Sequence, residues 1–552
     1  MITSMIRQFG RTVFLRIPAI RRLYDLLENL RCVANQLERQ AEVLQGRLLE
    51  SESRNALIPG LEKQAEVLQG RLLESESRNA LIPGLEHRLA NKEAKLRSLK
   101  KSVSELELAQ IGIEEQLGEI AFAEERLDLL QRDKANNSHT QESLINGGKR
   151  RLTIGILGNV NNYPLMLAEG FRRLGHEVRL VINRKNALHR PESKYPEWQN
   201  NYPEWVLDCS ALSEEALMSN SAPLFSKVIN YFFDQADLVI LNDFGPALAK
   251  LLPKPQMAFL TGSDLTYYAN YHSLDLRTAT WDLEYKKSPQ GRRLINQYAD
   301  FIAQQRDGIL SADVVSFGVR GLISEGDELL DSIGVADSRR MMILLSDTNN
   351  LKFCPPSENK NLRIFNGARV AWQQSQDKQF SMQDLKGTDV LLQGFAMYCQ
   401  SGGQGELRMV QKGHDVENAY DLCIELGIDS RVVWLNEMDL HQYDEEVRLS
   451  DLVCDQFGQS FPGMVTSHAY AFGRPVLANF RNEVFAGNLS KPLPGFQAAT
   501  VNEVAEQLLA LDADRKAIQA MGKKSRQYAE KYMSPESMAE QVLIRAGLNK
   551  KG

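Results

Sequence analysis

The chain has 552 residues, a formal net charge of −6, and ordinary hydrophobic and charged fractions of 43% and 25%. It is too long for one compact core, so we expect two or three domains of a soluble globular protein. The charge excludes a global positive field, so nucleic acid is not expected as a partner. Six cysteines occur singly, without a CxxC pair, so we expect neither a zinc site nor a disulfide framework, and a cytoplasmic location.

The first 24 residues carry five arginines and no acidic residue, and their apolar residues recur at roughly helical spacing. A membrane-surface helix is one interpretation. Because Gly10 and Pro18 would interrupt such a helix, a basic amphipathic segment that packs on protein is the more ordinary one. No apolar run reaches the roughly eighteen residues needed to span a bilayer. Membrane contact, if present, is therefore expected to be peripheral.

Residues 37–60 and 61–84 are two copies of one 24-residue unit and differ only at Arg39 and Lys63. Each copy is rich in good helix formers and ends in Pro-Gly, which stops a helix. The unit length is not a multiple of seven, so a heptad seam would slip at each repeat. We therefore expect a helical spacer that tolerates changes of length.

From Leu85 to Leu127, mostly apolar residues recur at alternating intervals of four and three. This pattern is typical of a coiled-coil seam, which requires a partner helix. A parallel homodimer is our first expectation, and an intramolecular hairpin with residues 20–58 is the alternative. Residues 1–131 are thus predicted to be an all-α coiled-coil arm, followed by a polar linker over 132–150.

Strand-like and helix-like segments alternate after the linker, which is typical of a parallel α/β fold. The predicted strands are 152–158, 176–183, 205–209, 237–243, 257–264, 312–318, 362–368, 406–411, 431–436, 451–456 and 474–479. The predicted helices are 161–174, 388–400, 416–427, 440–449 and 463–472. The strand at 312–318 is expected to close the first series.

Two such series predict two Rossmann-like domains, 151–356 and 357–552, with a last helix that could cross back onto the first domain. Ligands in these sheets bind beyond the carboxyl ends of the strands, so the cleft between the facing domains is the expected site. The first strand-turn has Gly155 and Gly158 but lacks the GxGxxG spacing. A dinucleotide-binding dehydrogenase is therefore disfavoured.

The order of several segments resembles the retaining GT-B glycosyltransferases of family four, over roughly 400 residues. The segments that carry the resemblance are GNVNNYPLMLAEGFRRLGHEVRLV (158–181), LTGSDL (260–265), LSDTNNLKFCP (345–355), ARVAW (368–372), KGTDVLLQGF (386–395), RMVQKGHDVENAYDLCIELGIDSRVVWL (408–435) and DLVCDQFGQSFPGMVTSHAYAFGRPVLAN (451–479). The resemblance implies glycan biosynthesis. A sugar would pass from a nucleotide-sugar donor to a glycan, lipid-linked or protein acceptor, with retention of configuration.

A nucleotide-sugar donor requires neutralisation of its diphosphate, which is the leaving group. Arg369 follows a predicted strand and Lys386 begins a predicted helix, and the resemblance assigns both to the donor side. Arginine binds phosphate with a bidentate fork and lysine with a point charge. The amides of Gly387 and Thr388 would add anion-binding donors at the helix start. Phosphate neutralisation by these groups makes a metal ion unnecessary, so no metal or other cofactor is expected.

Five further positions are candidates for lining the nucleotide pocket or for catalysis. Lys412 closes the strand after the donor helix, where it either lines the pocket or belongs to an ordinary turn. Gly463 begins the helix whose amide end would face the diphosphate or the sugar. Family members have two glutamates near this helix, where this chain has Ser460 and His468. Asp455, at a strand end, could supply the missing carboxylate, or could be a capping acid.

Asp264 in TGSD is the candidate for the acceptor side, where Gly262 would let the backbone approach a ligand. Its carboxylate could bind sugar hydroxyls or cap the following turn. Asn159 and Asn162 could contact ligand in the same way, or form turns. We expect acceptor specificity in the loops 184–204 and 266–290, which are rich in Tyr, Trp and Asn.

Two other functions compete with glycosyl transfer. A catalytically silent GT-B module on a coiled-coil stalk is favoured by the missing glutamate pair, but the presence of Arg369 and Lys386 counts against it. A nucleotide-sugar epimerase shares the fold, and turnover of the donor without an acceptor would identify it.

Overall fold

The computed structural model describes residues 150–548, except 185, 200, 211–228, 230–231, 357–358, 374–384, 459–461 and 487–490. All described residues belong to one compact unit. The repeats, the coiled-coil seam and the linker up to residue 149 lie outside the described residues, so the arm and its homodimer stay predictions. Within the described part of the chain, no helix is long and apolar enough to cross a membrane.

The first parallel sheet has the strand order β3-β2-β1-β4-β5-β6-β7. Its strands are β1 (Thr153–Leu157), β2 (Glu177–Ile182), β3 (Val206–Asp208), β4 (Leu238–Leu241), β5 (Gln256–Phe259), β6 (Val314–Ser316) and β7 (Arg340–Met341). The central strand β4 is buried along its whole length, as expected where helices cover both faces of a parallel sheet. Gly155 in β1 leaves room for the ring of Phe233, which an added Cβ would approach to 2.8 Å.

The helices of this half cover both faces of the sheet. They are α1 (Tyr163–Arg173), α2 (Ser263–Thr266), α3 (Ser273–Thr278), α4 (Leu283–Lys287), α5 (Pro289–Ser311) and α6 (Ser324–Ile333). Two expectations were wrong here. The strand at 312–318 does not close the sheet, because β7 pairs with β6 after α6. Residues 266–290 are not only loop, because they contain α3 and α4.

The second parallel sheet has the strand order β10-β9-β8-β11-β12-β13. Its strands are β8 (Arg363–Asn366), β9 (Glu406–Val410), β10 (Val432–Leu435), β11 (Leu452–Cys454), β12 (Val476–Ala478) and β13 (Phe496–Gln497). Its helices, and those that follow it, are α7 (Thr388–Gln400), α8 (Val416–Glu425), α9 (Leu440–Leu449), α10 (Met464–Phe472), α11 (Asn482–Phe485), α12 (Val501–Ala513), α13 (Arg515–Tyr528) and α14 (Pro535–Arg545). The predicted pair of Rossmann-like α/β sheets is thus confirmed.

Each sheet has one point at which the strand order reverses. In the first sheet it lies between β1 and β4, and in the second between β8 and β11. Crossovers leave such a point on opposite faces, so a crevice opens beyond the carboxyl ends of the two strands. The chemistry of the molecule is therefore expected where β1, β4, β8 and β11 end.

The last helix, α14, returns to the first sheet. Met538, Ala539, Val542 and Leu543 are buried in the same apolar core as α1 and β1. Arg545 also donates to the carbonyls of Ser338 (2.9 Å) and Arg340 (2.7 Å). The carboxyl-terminal end of the chain thus helps to hold both Rossmann-like sheets in one unit.

The segment that connects the two sheets is tied to α1 by a buried ion cluster. The Lys194 ammonium lies 3.1 Å from Glu169 in α1 and 2.9 Å from Asp347 in the connecting segment. Burial disfavours the charged form of Lys194, but the carboxylates of Asp347 and Glu169 outweigh it and raise the pKa of this lysine. Tyr195 extends the cluster, because its hydroxyl bonds to Glu169 and accepts from Asn350.

The contact between α1 and α14 leads to a prediction about Gly170. An alanine in a helix is normally more stable than glycine by about 0.5–1 kcal/mol. At Gly170, however, an added Cβ would overlap the carbonyl of Pro535 at the start of α14. Overpacking costs about 1–3 kcal/mol, so we expect Gly170→Ala to lower the melting temperature. Lys523→Ala, at an exposed position of α13, is the control. Equal melting temperatures of Gly170→Ala and the wild type would contradict this packing.

Candidate functional site

Polar side chains from distant segments converge at the carboxyl edge of β8 and β11. Asn366 ends β8 and is buried, and Asp455 and Gln456 follow β11. Arg369 lies three residues beyond Asn366 and is exposed. These residues occupy the point of strand reversal in the second sheet, which is the crevice identified from the topology.

Lys386 is held at this edge by its own backbone. Its amide donates to the carbonyl of Ala371 (2.6 Å), and its carbonyl accepts from the amides of Phe457 (2.8 Å) and Gly458 (3.2 Å). Its ammonium donates to the side-chain carbonyl of Gln456 over 3.2 Å. The loop after β8, the start of α7 and the loop after β11 are therefore joined through one residue, which fixes a positive charge in the crevice.

Gly387 is required next to Lys386 for two independent reasons. It is the N-cap of α7 and has a left-handed φ of 67°, which favours glycine. An added Cβ would also overlap the amide nitrogen of Gly458. The close approach of this second loop puts the start of α7 directly in the crevice, where its first amides and the positive end of its dipole favour an anion.

Asp415 orders the loop that carries Arg369, and sequence reasoning missed it. Its carboxylate is buried and accepts from the amides of Trp372 (2.7 Å) and Gln373 (2.9 Å). It also accepts from the side chain of Asn418 at 2.9 Å. Lys412, three residues earlier, extends outward and pairs with Glu437 at 3.0 Å, with both side chains about half exposed. Lys412 is thus at the same edge but engaged elsewhere.

Asp455 caps α10. One carboxylate oxygen accepts from the Gly463 amide (2.9 Å), the Thr466 amide (3.1 Å) and the Thr466 hydroxyl (2.7 Å). The other oxygen is buried and has no hydrogen-bond partner among the described residues. Burial raises the pKa of Asp455, although these bonds and the charge of Lys386 oppose the rise. The amide of Gly463 is thereby occupied, and Ser460 lies outside the described residues.

His468 forms a pair with Asp444, another residue that sequence reasoning missed. Their side chains lie 2.9 Å apart, between Nδ1 and a carboxylate oxygen, and both are largely buried. Tyr443 contacts the imidazole edge-to-face at 5.7 Å. The Tyr443 hydroxyl lies so close to Gly367 that a Cβ added to this glycine would overlap the hydroxyl. The ring of Tyr443 therefore lies between the His468 imidazole and the end of β8.

Tyr163, the first residue of α1, brings the first half of the chain to this edge. Its side chain lies beside Ser467 in α10 and within electrostatic range of Asp455. Burial raises the pKa of Tyr163 to about 12, and the neighbouring Ser467 side chain opposes part of the rise. The loop after β1 therefore meets the crevice of the second sheet, a contact that local sequence patterns do not reveal.

At the carboxyl edge of the first sheet, Asp264 bonds mainly to its own turn. Its carboxylate accepts from the amides of Thr261 (2.8 and 2.7 Å) and Gly262 (2.8 Å), and from the side chain of Asn242 (3.2 Å). The residue is fully buried. Burial raises its pKa from 3.8 to about 6, although the backbone bonds oppose the rise. This geometry fits the turn-capping interpretation better than direct binding of sugar hydroxyls.

The asparagines after β1 also have local partners. Asn159 donates to Asn162 (2.6 Å) and to the carbonyl of His189 (2.8 Å), and its carbonyl accepts from the Leu165 amide at 3.0 Å. Asn161 and Asn162 adopt left-handed φ values of 54° and 57°, which asparagine tolerates better than most residues. These side chains shape the loop that ends in Tyr163.

Arg184 and Asp243 form an ion pair at the same edge that sequence reasoning did not identify. The guanidinium binds the fully buried carboxylate through two bonds of 2.7 and 2.5 Å and donates to the hydroxyl of Tyr268 at 2.7 Å. Asn183 adds a bond of 2.7 Å to the same carboxylate. The loop 184–204 is thus fixed at its start to the end of β4.

Within the described residues, no group of His, Cys, Asp and Glu side chains is arranged to hold a metal ion. The expectation that the site needs no metal stays a prediction, because it concerns the loaded protein.

No protein-family model matches the chain, and no curated protein matches it. Among solved structures, it is similar to Anabaena Alr3699/HepE in complex with UDP and glucose, with 16% identity, a TM-score of 0.45, and coverage of 72% of this chain and 100% of that chain. It is also similar to sucrose-phosphate synthase from Thermosynechococcus elongatus, with 14% identity, a TM-score of 0.44, and coverage of 71% and 97%.

A third similar structure is a putative UDP-N-acetylglucosamine 2-epimerase from Listeria monocytogenes, with 16% identity, a TM-score of 0.38, and coverage of 72% and 97%. All three TM-scores are below 0.5. The fold described above therefore rests on the strand pairing of this chain and not on these similarities.

The burial of Asp264 predicts an unusual pH dependence. The folded state holds the Asp264 proton more tightly than the unfolded state, so this group destabilises the fold progressively as pH rises from about 4 to about 6. A tenfold change in proton affinity corresponds to about 1.4 kcal/mol. Relative to Asp264→Asn, the free energy of unfolding of the wild type should thus fall by up to about 3 kcal/mol across this window and then stay level. Urea unfolding of both proteins across this pH window measures the difference in their free energies of unfolding. A difference that does not change with pH would contradict the prediction.

Proposed function

We propose that this chain is a retaining glycosyltransferase of the family-four type. It would transfer a sugar from a nucleotide-sugar donor to a glycan, lipid-linked or protein acceptor. The observation that carries the proposal is the fixed position of Lys386 at the carboxyl edge of β8 and β11, directly before the amide end of α7. A diphosphate in this crevice meets a lysine charge and a helix dipole together.

Arg369 is the second cation of the proposed phosphate site. It follows β8 on a loop that Asp415 holds through the amides of Trp372 and Gln373. Such a loop can present a guanidinium with little loss of backbone entropy on binding. The fork of arginine suits a bidentate contact with one phosphate, while Lys386 neutralises the other. Charge stabilisation of the leaving diphosphate then supplies the main catalytic effect.

Retention of configuration is what the resemblance implies, and the hydrogen bonds of two carboxylates support it. An inverting transfer requires a general base opposite the leaving group, but Asp264 bonds mainly to its own turn and Asp455 caps α10. In the proposed reaction the bond between the anomeric carbon and the diphosphate oxygen breaks. The acceptor oxygen bonds to the same face, and its proton passes to the departing phosphate. Lys386 and Arg369 hold that phosphate in place during the transfer.

The catalytically silent module remains the competing function, because the chain has Ser460 and His468 where the resemblance implies glutamates. A nucleotide-sugar epimerase is the second competing function. The transferase, the silent module and the epimerase would all bind a nucleotide. Only the transferase forms a new glycosidic bond, and only the epimerase inverts a sugar centre without an acceptor. Incubation with the nucleotide sugar in the presence and absence of candidate acceptors distinguishes them.

The first prediction of this proposal concerns nucleotide binding. UDP, GDP, ADP and CMP, with their common sugars, should be screened by thermal shift, since a ligand of the folded state raises the melting temperature. We expect one nucleoside diphosphate to bind, and Lys386→Ala to weaken its binding by about tenfold or more, because a charge-assisted bond is lost.

Lys523→Ala is the matched control, because this lysine is exposed on α13. Binding of no nucleotide, or equal binding by the Lys386 variant and the control, would contradict the proposed phosphate site. Binding without turnover on any acceptor would instead favour the silent module.

A second prediction concerns the pair formed by His468 and Asp444. If Nδ1 of the imidazole donates a hydrogen bond to Asp444, Nε2 can accept a hydrogen bond from a hydroxyl of the nucleotide sugar. We expect His468→Ala to weaken nucleotide-sugar binding by up to about tenfold and Asp444→Ala by somewhat less, since loss of one hydrogen bond costs about 0.5–1.5 kcal/mol. The double variant should bind no worse than His468→Ala, because Asp444 acts only through the imidazole. Strictly additive losses would show that the two residues act independently.

A further inference from the structure

Four cations cluster at the junction of α4 and α5, which we call the basic corner. They are Lys286, Lys287, Arg292 and Arg293. Lys287, Arg292 and Arg293 are exposed and Lys286 is partly so. No carboxylate of the described residues forms an ion pair with any of the four, whereas many arginines elsewhere in the described chain are paired. The corner therefore presents cations to solvent that are not held in ion pairs with the described carboxylates.

The basic corner is held rigidly by its backbone and by aromatic rings. Ser288 caps α5 by accepting from the Gly291 amide at 3.0 Å, and its hydroxyl donates to the carbonyl of Tyr285 at 2.7 Å. An added Cβ on Gly291 would overlap that carbonyl, so the two helices meet without a spacer. Trp281 packs edge-to-face on Tyr285 at 5.1 Å. The cations are thus carried by a preformed surface.

An exposed apolar side chain accompanies the cations. Leu283 begins α4 and is 62% exposed, among the most exposed of the large apolar residues in the described chain. Residues three and four apart lie on one face of a helix, so Leu283 shares a face with Lys286 and Lys287. Two acids are nearby, Asp282, which caps α4 through the Tyr285 amide (2.6 Å), and Glu284, so the four cations outnumber them two to one. This combination is typical of a surface that binds anionic lipid.

The basic corner is connected to the carboxyl edge of the first sheet. The guanidinium of Arg277 lies over the rings of Tyr298 in α5 (4.9 Å) and of Tyr268 (5.6 Å). Tyr268 accepts from Arg184, which binds Asp243 at the end of β4. A membrane bound at the corner would therefore lie close to the chain segment that follows β5. The contacts of Tyr268 with Arg277 and Arg184 join that segment to the sheet edge where an acceptor is expected.

We propose that the chain docks on an anionic lipid bilayer through the basic corner, with Leu283 entering the interface. Each cation near a negatively charged leaflet strengthens binding by about fivefold. A nucleic acid or an acidic polysaccharide would use the charges but would gain nothing from the exposed leucine. Lipid binding does not depend on the proposed enzymatic function. Its consequence, that the acceptor is lipid-linked, does rest on that function.

The test is co-sedimentation of the full chain with phosphatidylcholine vesicles, with and without phosphatidylglycerol. The variants are Lys286→Ala/Lys287→Ala/Arg292→Ala/Arg293→Ala together, Leu283→Ser alone, and Lys523→Ala/Lys524→Ala as a matched pair of exposed lysines on α13. We expect binding only with phosphatidylglycerol. The corner variant should bind at least about tenfold more weakly, Leu283→Ser a few-fold more weakly, and the control like the wild type.

Three results would overturn the proposal. One is no binding to the anionic vesicles, and another is equal binding by the corner variant and the wild type, which would assign lipid binding to the basic amino-terminal segment. The third is corner-dependent binding to duplex DNA without loss in Leu283→Ser, which would identify a polyanion as the partner. Nucleotide binding, measured on the same samples, keeps failure of the docking surface distinct from failure of the proposed function.

Discussion

The backbone of Lys386 is the junction on which the candidate site depends. Its amide bonds to Ala371 and its carbonyl to Phe457 and Gly458, so three loops that are distant in the sequence cannot move independently at this edge. Buried polar groups must be hydrogen-bonded, so these bonds are costly to break once water is excluded. Gly387 makes the close approach of the loops sterically feasible. A lysine charge at a helix start follows directly from this arrangement.

Three of the contacts that couple the two halves of the described chain differ in chemistry. The helix α14 buries apolar side chains against α1, Lys194 bridges Glu169 and Asp347, and Tyr163 lies beside Ser467. The first is an apolar contact, the second a buried ion cluster, and the third a contact between two polar side chains beside the crevice. Relative motion of the halves would disturb the last contact at the smallest cost, since the others involve more buried surface or charge.

Much of the second half could be predicted from sequence because its signals are local. The helices 388–400 and 440–449 were predicted with the observed bounds, since Gly387 marks one start and the capping box of Asp439 the other. The short strands β7 and β13 were missed, because two residues leave no periodic pattern. Helix α4 was missed as well, since five residues are too few to establish a helical period.

The site itself could be predicted only in part. Strand ends placed Arg369 and Asp455 at one edge, because parallel strands share that edge, whereas Lys386 at a helix start was assigned to the donor side by the resemblance. Side-chain direction was not predictable, and it decides that Asp264 closes a turn and that Asp455 caps a helix. The contacts of Tyr163 and of Asp444 join residues far apart in the chain, and no local pattern reports them. The basic corner was not identified from the sequence, because its place at the junction of two helices required the structure.

The most direct test of the central claim is a crystal structure of the chain with the nucleoside diphosphate that binds it. The account predicts density for the diphosphate at the carboxyl edge of β8 and β11, with a phosphate oxygen in hydrogen-bond distance of the Lys386 ammonium and the α7 amides. A nucleotide that occupies a different site at saturating concentration, or a diphosphate that makes no contact with Lys386, would contradict this prediction.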